Sequence, residues 1–223
     1  MPRPSRNIDQ ALLQSGRVLY EQHGAALPVR ALAEHAGANP GMFHYHFKSK
    51  DNFLRVLLQQ LYDEMYAQLV GVAAQVGTPL EQLRHALLTL ARFVRDHPHL
   101  IGRLWAEAAQ GEPVAREFMQ RNAPRHLRVL LQCMEEAERA GLLQPMPPLQ
   151  RLPFVMGAVV APLMIVPRLL EWGIAPTPVR RHAQALMLSD AAISARIDLA
   201  LDALRARTPP AAPPRRKRRP ADA

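Results

Sequence analysis

The sequence predicts an all-helical protein: an N-terminal three-helix unit joined by a long fourth helix to a larger helical domain. Three observations carry this. Apolar residues recur at three- and four-residue spacing along most of the chain, which is the mark of amphipathic helices. No stretch alternates apolar and polar residues as a strand would. Gly, Pro, Asn and Ser punctuate the pattern where helices start and stop.

The first helix places Ile8, Ala11, Leu12, Ser15, Val18, Leu19 and Gln22 on one face and stops at Gly24. Pro28 suits the first turn of a second, short helix, because its missing N–H does no harm there. Val29, Leu32, Ala33 and Ala36 form the apolar face of that helix, and Gly37 ends it. Asn39 is an N-cap and Pro40 a first residue for a third helix that runs to Phe47. Ser49 caps a fourth, with Phe53, Leu57, Leu61, Met65, Leu69 and Val72 along its stripe. Further helices are expected over residues 79–96, 99–110, 113–140, 149–172 and 178–205. The domains then divide as 1–52, 53–207 and a basic tail, 208–223, whose Pro, Ala, Arg and Lys lack periodicity and predict disorder.

Composition bounds the function. The 223 residues are 48% hydrophobic and 21% charged, in the range of a folded globular chain. The net charge of +9 favours a polyanionic partner such as nucleic acid. Five of the cations, Arg215 to Arg219, cluster in the tail, where they could add sequence-independent affinity for DNA. Cys133 is the single cysteine, so no intrachain disulfide forms, and its apolar surroundings suggest an inert core thiol. The polar N-terminus lacks the apolar run of a signal peptide, and a cytoplasmic location is expected. The longest apolar stretch, residues 152–167, is shorter than the roughly 18 to 20 residues a bilayer span needs. It is interrupted by Pro153, Pro162 and Pro167 and reads as a buried core helix, with no membrane partner.

Two short helices joined by the turn 36–39 and braced by a preceding helix have the pattern of a helix-turn-helix, whose second member enters the major groove. The run Ala-Gly-Ala-Asn-Pro-Gly-Met-Phe-His-Tyr-His-Phe-Lys-Ser-Lys, residues 36–50, resembles the recognition region of the TetR family. In that family an Ala-Gly turn leads into the recognition helix, a Tyr and a His precede a buried Phe, and a Lys opens the long fourth helix. Here these are Ala36, Gly37, Tyr45, His46, Phe47 and Lys50. The likeness extends over about fifty residues, 8–57, and Pro28 stands where the family usually has a hydroxyl cap.

Side-chain reach assigns roles within that region. Tyr45, His46 and Lys50 are candidate phosphate contacts, with Arg30 near the start of the second helix a further one. Asn39, Gly41, Met42 and His44 lie at the groove-facing end. Asn39 could bond adenine if its oxygen is not spent as a cap, Gly41 allows close backbone approach, and Met42 could meet a thymine methyl. Phe43 and Phe47 are core residues.

The resemblance also implies a homodimer on a pseudo-palindromic operator in double-stranded DNA. It further implies a small, largely apolar effector that shifts the fourth helix, so that the chain acts as a ligand-responsive repressor. Phe93, Trp105, Phe118, Met119, Met134, Met156 and Met164 are candidate lining residues for the effector, since Met and aromatic side chains accommodate varied ligands. Arg103, Glu107, Gln110 and Arg121 are the polar groups that would tune it. No nucleophile motif, phosphate loop or metal-ligand spacing is present, so no catalytic residues, metal or cofactor are expected. The alternative reading is a helical adaptor, or a DNA-binding protein without operator specificity.

Overall fold

The computed structural model describes residues 5–74, 77–174 and 176–206. The expected basic tail lies outside the described residues. The head contains α1 (Ser5–His23), a 3-10 turn (Gly24–Ala26), α2 (Val29–His35) and α3 (Pro40–Phe47). Both predicted caps are in place. Asn39 accepts a hydrogen bond from the Gly41 amide at 2.8 Å, and Ser49 accepts one from Asn52 at 3.1 Å to open α4 (Lys50–Ala73). Pro28 precedes α2 without any side-chain cap. Leu12 and Tyr20 of α1, Leu32 of α2 and the rings of Phe43, Phe47 and Phe53 form the buried centre of the head. The Phe47 and Phe53 rings meet edge to face at 4.9 Å, a favoured aromatic geometry.

The C-terminal part comprises α5 (Pro79–Asp96), α6 (Pro98–Gln110), α7 (Pro113–Arg139), α8 (Pro148–Val159), α9 (Ala161–Glu171), α10 (Thr177–Ala183) and α11 (Asp190–Ala203). Helices α4, α5 and α7 pack as a central layer, with α8 and α11 on its far side. Leu69, Leu83, Leu87, Leu130, Val155, Val159, Ile193 and Ile197 meet in its core. Met134 and Cys133 are buried there too, and burial pushes the Cys133 thiol above its ordinary pKa. The helix α5 starts with a reciprocal capping box between Thr78 and Glu81. Leu100, Leu104, Val114 and Ala115 of α6 and α7 share the head's apolar cluster, so the head packs directly against the C-terminal part.

Two expectations are corrected. The helix expected over 178–205 is divided, because Ser189 donates to the Ala185 carbonyl and accepts from the Ala192 amide. It thereby closes a π-type turn (Gln184–Leu188) and caps a new helix. The stretch expected as a buried core helix is instead an arm, Pro148–Glu171, turned slightly at Val160. Its prolines lie in first turns or inside the helices without ending the arm. By length and composition it could cross a membrane, yet only 22% of its most apolar window is buried in the monomer. Leu143 and Arg205 form an isolated antiparallel bridge, flanked by Gln144 N–H to Leu204 C=O at 2.9 Å.

Two local features bear on stability. Arg151 is 1% exposed. Its guanidinium pairs with Glu138 and donates to the carbonyls of Gln144 at 3.1 Å and Met146 at 3.0 Å, which pins the α7–α8 connection. Lys48, between α3 and α4, has φ +66° and ψ −50°, and Ser49 N–H reaches back to Phe47 C=O at 2.7 Å. This is a tight three-residue turn that is costly for a residue with a Cβ. Arg151→Met should therefore lower the free energy of unfolding in urea by about 3 kcal/mol, since it strips a buried network of its donor. Lys48→Gly should raise it by about 1 kcal/mol.

Candidate nucleic-acid interface and ligand cavity

The turn between α2 and α3 is built on Gly37, whose φ of +62° a side chain would oppose. Ala38 N–H returns to Ala33 C=O at 2.8 Å and closes the turn. With Phe43 and Phe47 fixed in the core, the opposite face of α3 is directed to solvent. Tyr45 is 71% exposed, so it does not pack between α1 and α3. His44, Gly41, Asn39 and Arg30 are also exposed, whereas Met42 and Lys50 are half-buried. A Cβ on Gly41 would meet only Asn39 Oδ1 at 3.4 Å. Internal packing therefore does not require glycine there, and the space above it is open.

Two expected contacts are presented differently. Asn39 Oδ1 is committed to the cap, so a bidentate adenine contact is not available to it in this arrangement. His46 is half-buried, packs against the Tyr45 and Phe47 rings, and has its Nε2 closed off without a partner. Lys48, passed over by the sequence reading, is exposed beside these residues. Its place in the Phe-Lys-Ser-Lys turn was the available signal. Among the described residues, no group of three or more His, Cys, Asp or Glu could share a metal ion.

In the C-terminal part, α4, α5, α6, α7 and the arm enclose a cavity of about 440 Å³. Of the candidate lining residues, Phe93, Trp105, Phe118, Met119, Met156 and Met164 border this cavity, whereas Met134 points into the packed core. None of Arg103, Glu107, Gln110 or Arg121 reaches the cavity. The first three border a separate polar cleft against the head, and Arg121 pairs with Glu117 at 3.2 Å on the surface. Besides the Trp105 indole, the polar groups that line the cavity are Tyr62, Asn122 and His126, which the sequence reading missed. They sit on helix stripes otherwise read as core, and only the meeting of α4 with α7 brings them together.

The displaced charges have another task. Glu107 of α6 accepts hydrogen bonds from the Tyr20 hydroxyl and the Ala25 amide, each at 2.7 Å. Arg103 donates to the Gln22 carbonyl at 2.9 Å. Burial, followed by the Glu107 carboxylate, pushes the Tyr20 hydroxyl far above its usual pKa. Gly24 makes the approach possible: at φ +57°, a Cβ there would fall 1.8 Å from Glu107 Oε1. Leu100, Ile101, Leu104 and Trp105 of the same helix face the cavity. A second tie joins head to core where Arg17 of α1 pairs with Glu64 of α4, which holds that carboxyl below its ordinary range.

Residues 12–57 match the family model described as bacterial regulatory proteins, tetR family. The chain is 24% identical over 141 residues to a probable HTH-type transcriptional regulator, YttP, of Bacillus subtilis, covering 61% of this chain and 68% of that one. It is 26% identical over 87 residues to the HTH-type transcriptional repressor KstR2 of Mycobacterium tuberculosis, covering 39% and 44% respectively. That match thus spans less than half of the relative's length. Among solved structures, a TetR-family transcriptional regulator from Agrobacterium tumefaciens superposes with a TM-score of 0.67 at 16% identity, covering 91% of this chain and all of that one. The ketosteroid transcriptional regulator KstR2 of M. tuberculosis superposes with a TM-score of 0.61 at 17% identity, covering 88% and 94%. Residues 12–57 thus match the TetR-family helix-turn-helix, and the described chain shares its fold with TetR-family regulators.

Proposed function

We propose that the protein is a dimeric, ligand-responsive repressor that binds a pseudo-palindromic operator through α3. The observation that carries this reading is the two-sided character of α3. Its phenylalanines are buried while Tyr45, His44 and Gly41 form an exposed face that the fold leaves uncovered. Tyr45 and Lys50 bond phosphates and fix the register, with Arg30, His46 and Lys48 supporting them. Gly41, Met42 and His44 meet base edges, and Asn39 serves mainly as the cap. The repressor name of the relative KstR2 supports the direction of regulation.

The second copy docks on the arm and α11. Phe154 is 44% exposed and Leu199 72% exposed on helices that pack together, and an apolar face of this kind marks an interaction surface. A two-fold dimer then sets two α3 helices about one DNA turn apart.

An apolar effector fills the cavity and changes the head's position through two helices, α4, which runs directly from the head, and α6, which lines the cavity and holds α1 through Glu107. An occupied cavity that displaces α6 withdraws the carboxylate from Tyr20 and Ala25 and alters the separation of the two recognition helices.

Selection from a random duplex pool at near-physiological salt should enrich a pseudo-palindrome. Tyr45→Ala and Lys50→Ala should each weaken binding to it by about tenfold or more, and Lys50→Ala should also reduce the salt slope of log K by about 0.9. Enrichment of no sequence would return the adaptor reading. In light scattering, the wild type should be a dimer at micromolar concentration, whereas Phe154→Glu combined with Leu199→Glu should give a folded monomer with loss of tight operator binding. A monomeric wild type would remove the basis of the paired heads.

A further inference from the structure

The cavity is walled almost wholly by carbon: Leu61, Phe93, Leu104, Phe118, Met156 and Met164 face it, and among the described residues no Asp, Glu, Lys or Arg does. A carboxylate or ammonium group placed inside would lose its hydration without gaining a counter-charge, which is strongly unfavourable. Apart from the half-exposed Trp105 indole, the polar groups in the wall other than His126 are committed already. The Tyr62 hydroxyl donates to the Asn122 backbone carbonyl at 2.9 Å. The Asn122 amide group donates to Gln59 Oε1 at 3.2 Å and to the Phe118 carbonyl at 3.1 Å. Its oxygen accepts from Gln59 at 3.3 Å and Arg125 at 3.2 Å.

His126 differs from both. Its ring lines the cavity one helical turn beyond Asn122, 6.0 Å from the Tyr62 ring; its Nδ1 is shut into the wall beside the Asn122 backbone, and its Nε2 has no hydrogen-bond partner among the described residues. Burial lowers its pKa below the ordinary histidine value, so the imidazole is neutral at neutral pH. A neutral imidazole offers one donor and one acceptor. The unpaired Nε2 is therefore free to donate to, or accept from, a polar group of a ligand in the cavity.

We infer that the effector is an uncharged, largely apolar molecule bearing a hydroxyl or carbonyl group, and that His126 is the residue that reads that group. This rests on the reading of the cavity as the effector site, and it adds a ligand class and a specificity-determining side chain. His126 lies on α7, against α4 through Tyr62, so the polar group of the ligand is anchored beside the helix that continues into the head.

The test is calorimetric titration of the full-length protein at neutral pH with naphthalene, 2-naphthol and 2-naphthoate, repeated on His126→Phe and His126→Gln. 2-Naphthol should bind about 3- to 10-fold more tightly than naphthalene, and 2-naphthoate at least about 100-fold more weakly than 2-naphthol. His126→Phe should abolish the preference for 2-naphthol while keeping naphthalene binding, and His126→Gln should restore part of it. If the Phe variant does not fold, His126→Leu supplies the apolar comparison. Equal binding of naphthalene and 2-naphthol by the wild type, or a preference that survives His126→Phe or His126→Leu, would overturn the role of His126 while leaving the cavity as a ligand site. Binding of 2-naphthoate as tight as that of 2-naphthol would overturn the uncharged class. Binding of none of the three would overturn the inference together with the effector-site reading beneath it.

Discussion

The contact on which the arrangement of this molecule most depends is a single carboxylate. Glu107 takes two hydrogen bonds from the head, one from a buried tyrosine hydroxyl and one from a backbone amide just past the end of α1. Bonds to an ionised acceptor are roughly twice as strong as neutral ones, and Tyr20, which makes one of the two, is nearly closed to solvent. A helix transmits displacement along its length because its own hydrogen bonds resist bending. With Glu107 on one face and Leu100 and Leu104 on another, α6 therefore relates the head's placement to the shape of the cavity.

The head was legible in the sequence because its determinants are local. Asn39, Pro40 and Ser49 set helix starts within a few residues of themselves, Gly37 supplies the one backbone conformation the turn needs, and Phe43 and Phe47 share a stripe set by helical periodicity. The same locality located α5, α6 and α7 to within a residue or two. What escaped was whatever depends on two distant segments meeting. Ser189 looks like an ordinary helical residue until its hydroxyl is seen bridging Ala185 and Ala192. Glu107 and Arg103 looked like ligand-tuning groups because they are polar residues in an apolar helix, yet their partners lie some eighty residues earlier. Met134 and Met156 have the same residue type in similar apolar surroundings, but only Met156 opens on the cavity.

The apolar arm illustrates a different limit. Periodicity reports that a surface must be covered but not by what, and the monomer covers little of Pro148–Glu171. Charge is handled the other way, with most ion pairs falling between neighbouring helices on the periphery. Arg84 with Asp198, Arg92 with Asp190 and Arg55 with Glu117 lie where water screens them, so each adds little stability and chiefly fixes which helix faces which.

Because one helix serves both the cavity and the head, the two recognition tasks proposed for this protein would not be separable in evolution. Under the function proposed above, a substitution at Leu104 or Trp105 that admits a larger ligand would also disturb the helix that holds α1, and with it the affinity for DNA in the absence of any ligand. Descendants that acquire a new signal would then need compensating changes along the α1–α6 seam. Lineages with altered cavities should consequently show paired variation between residues 20–25 and 100–107.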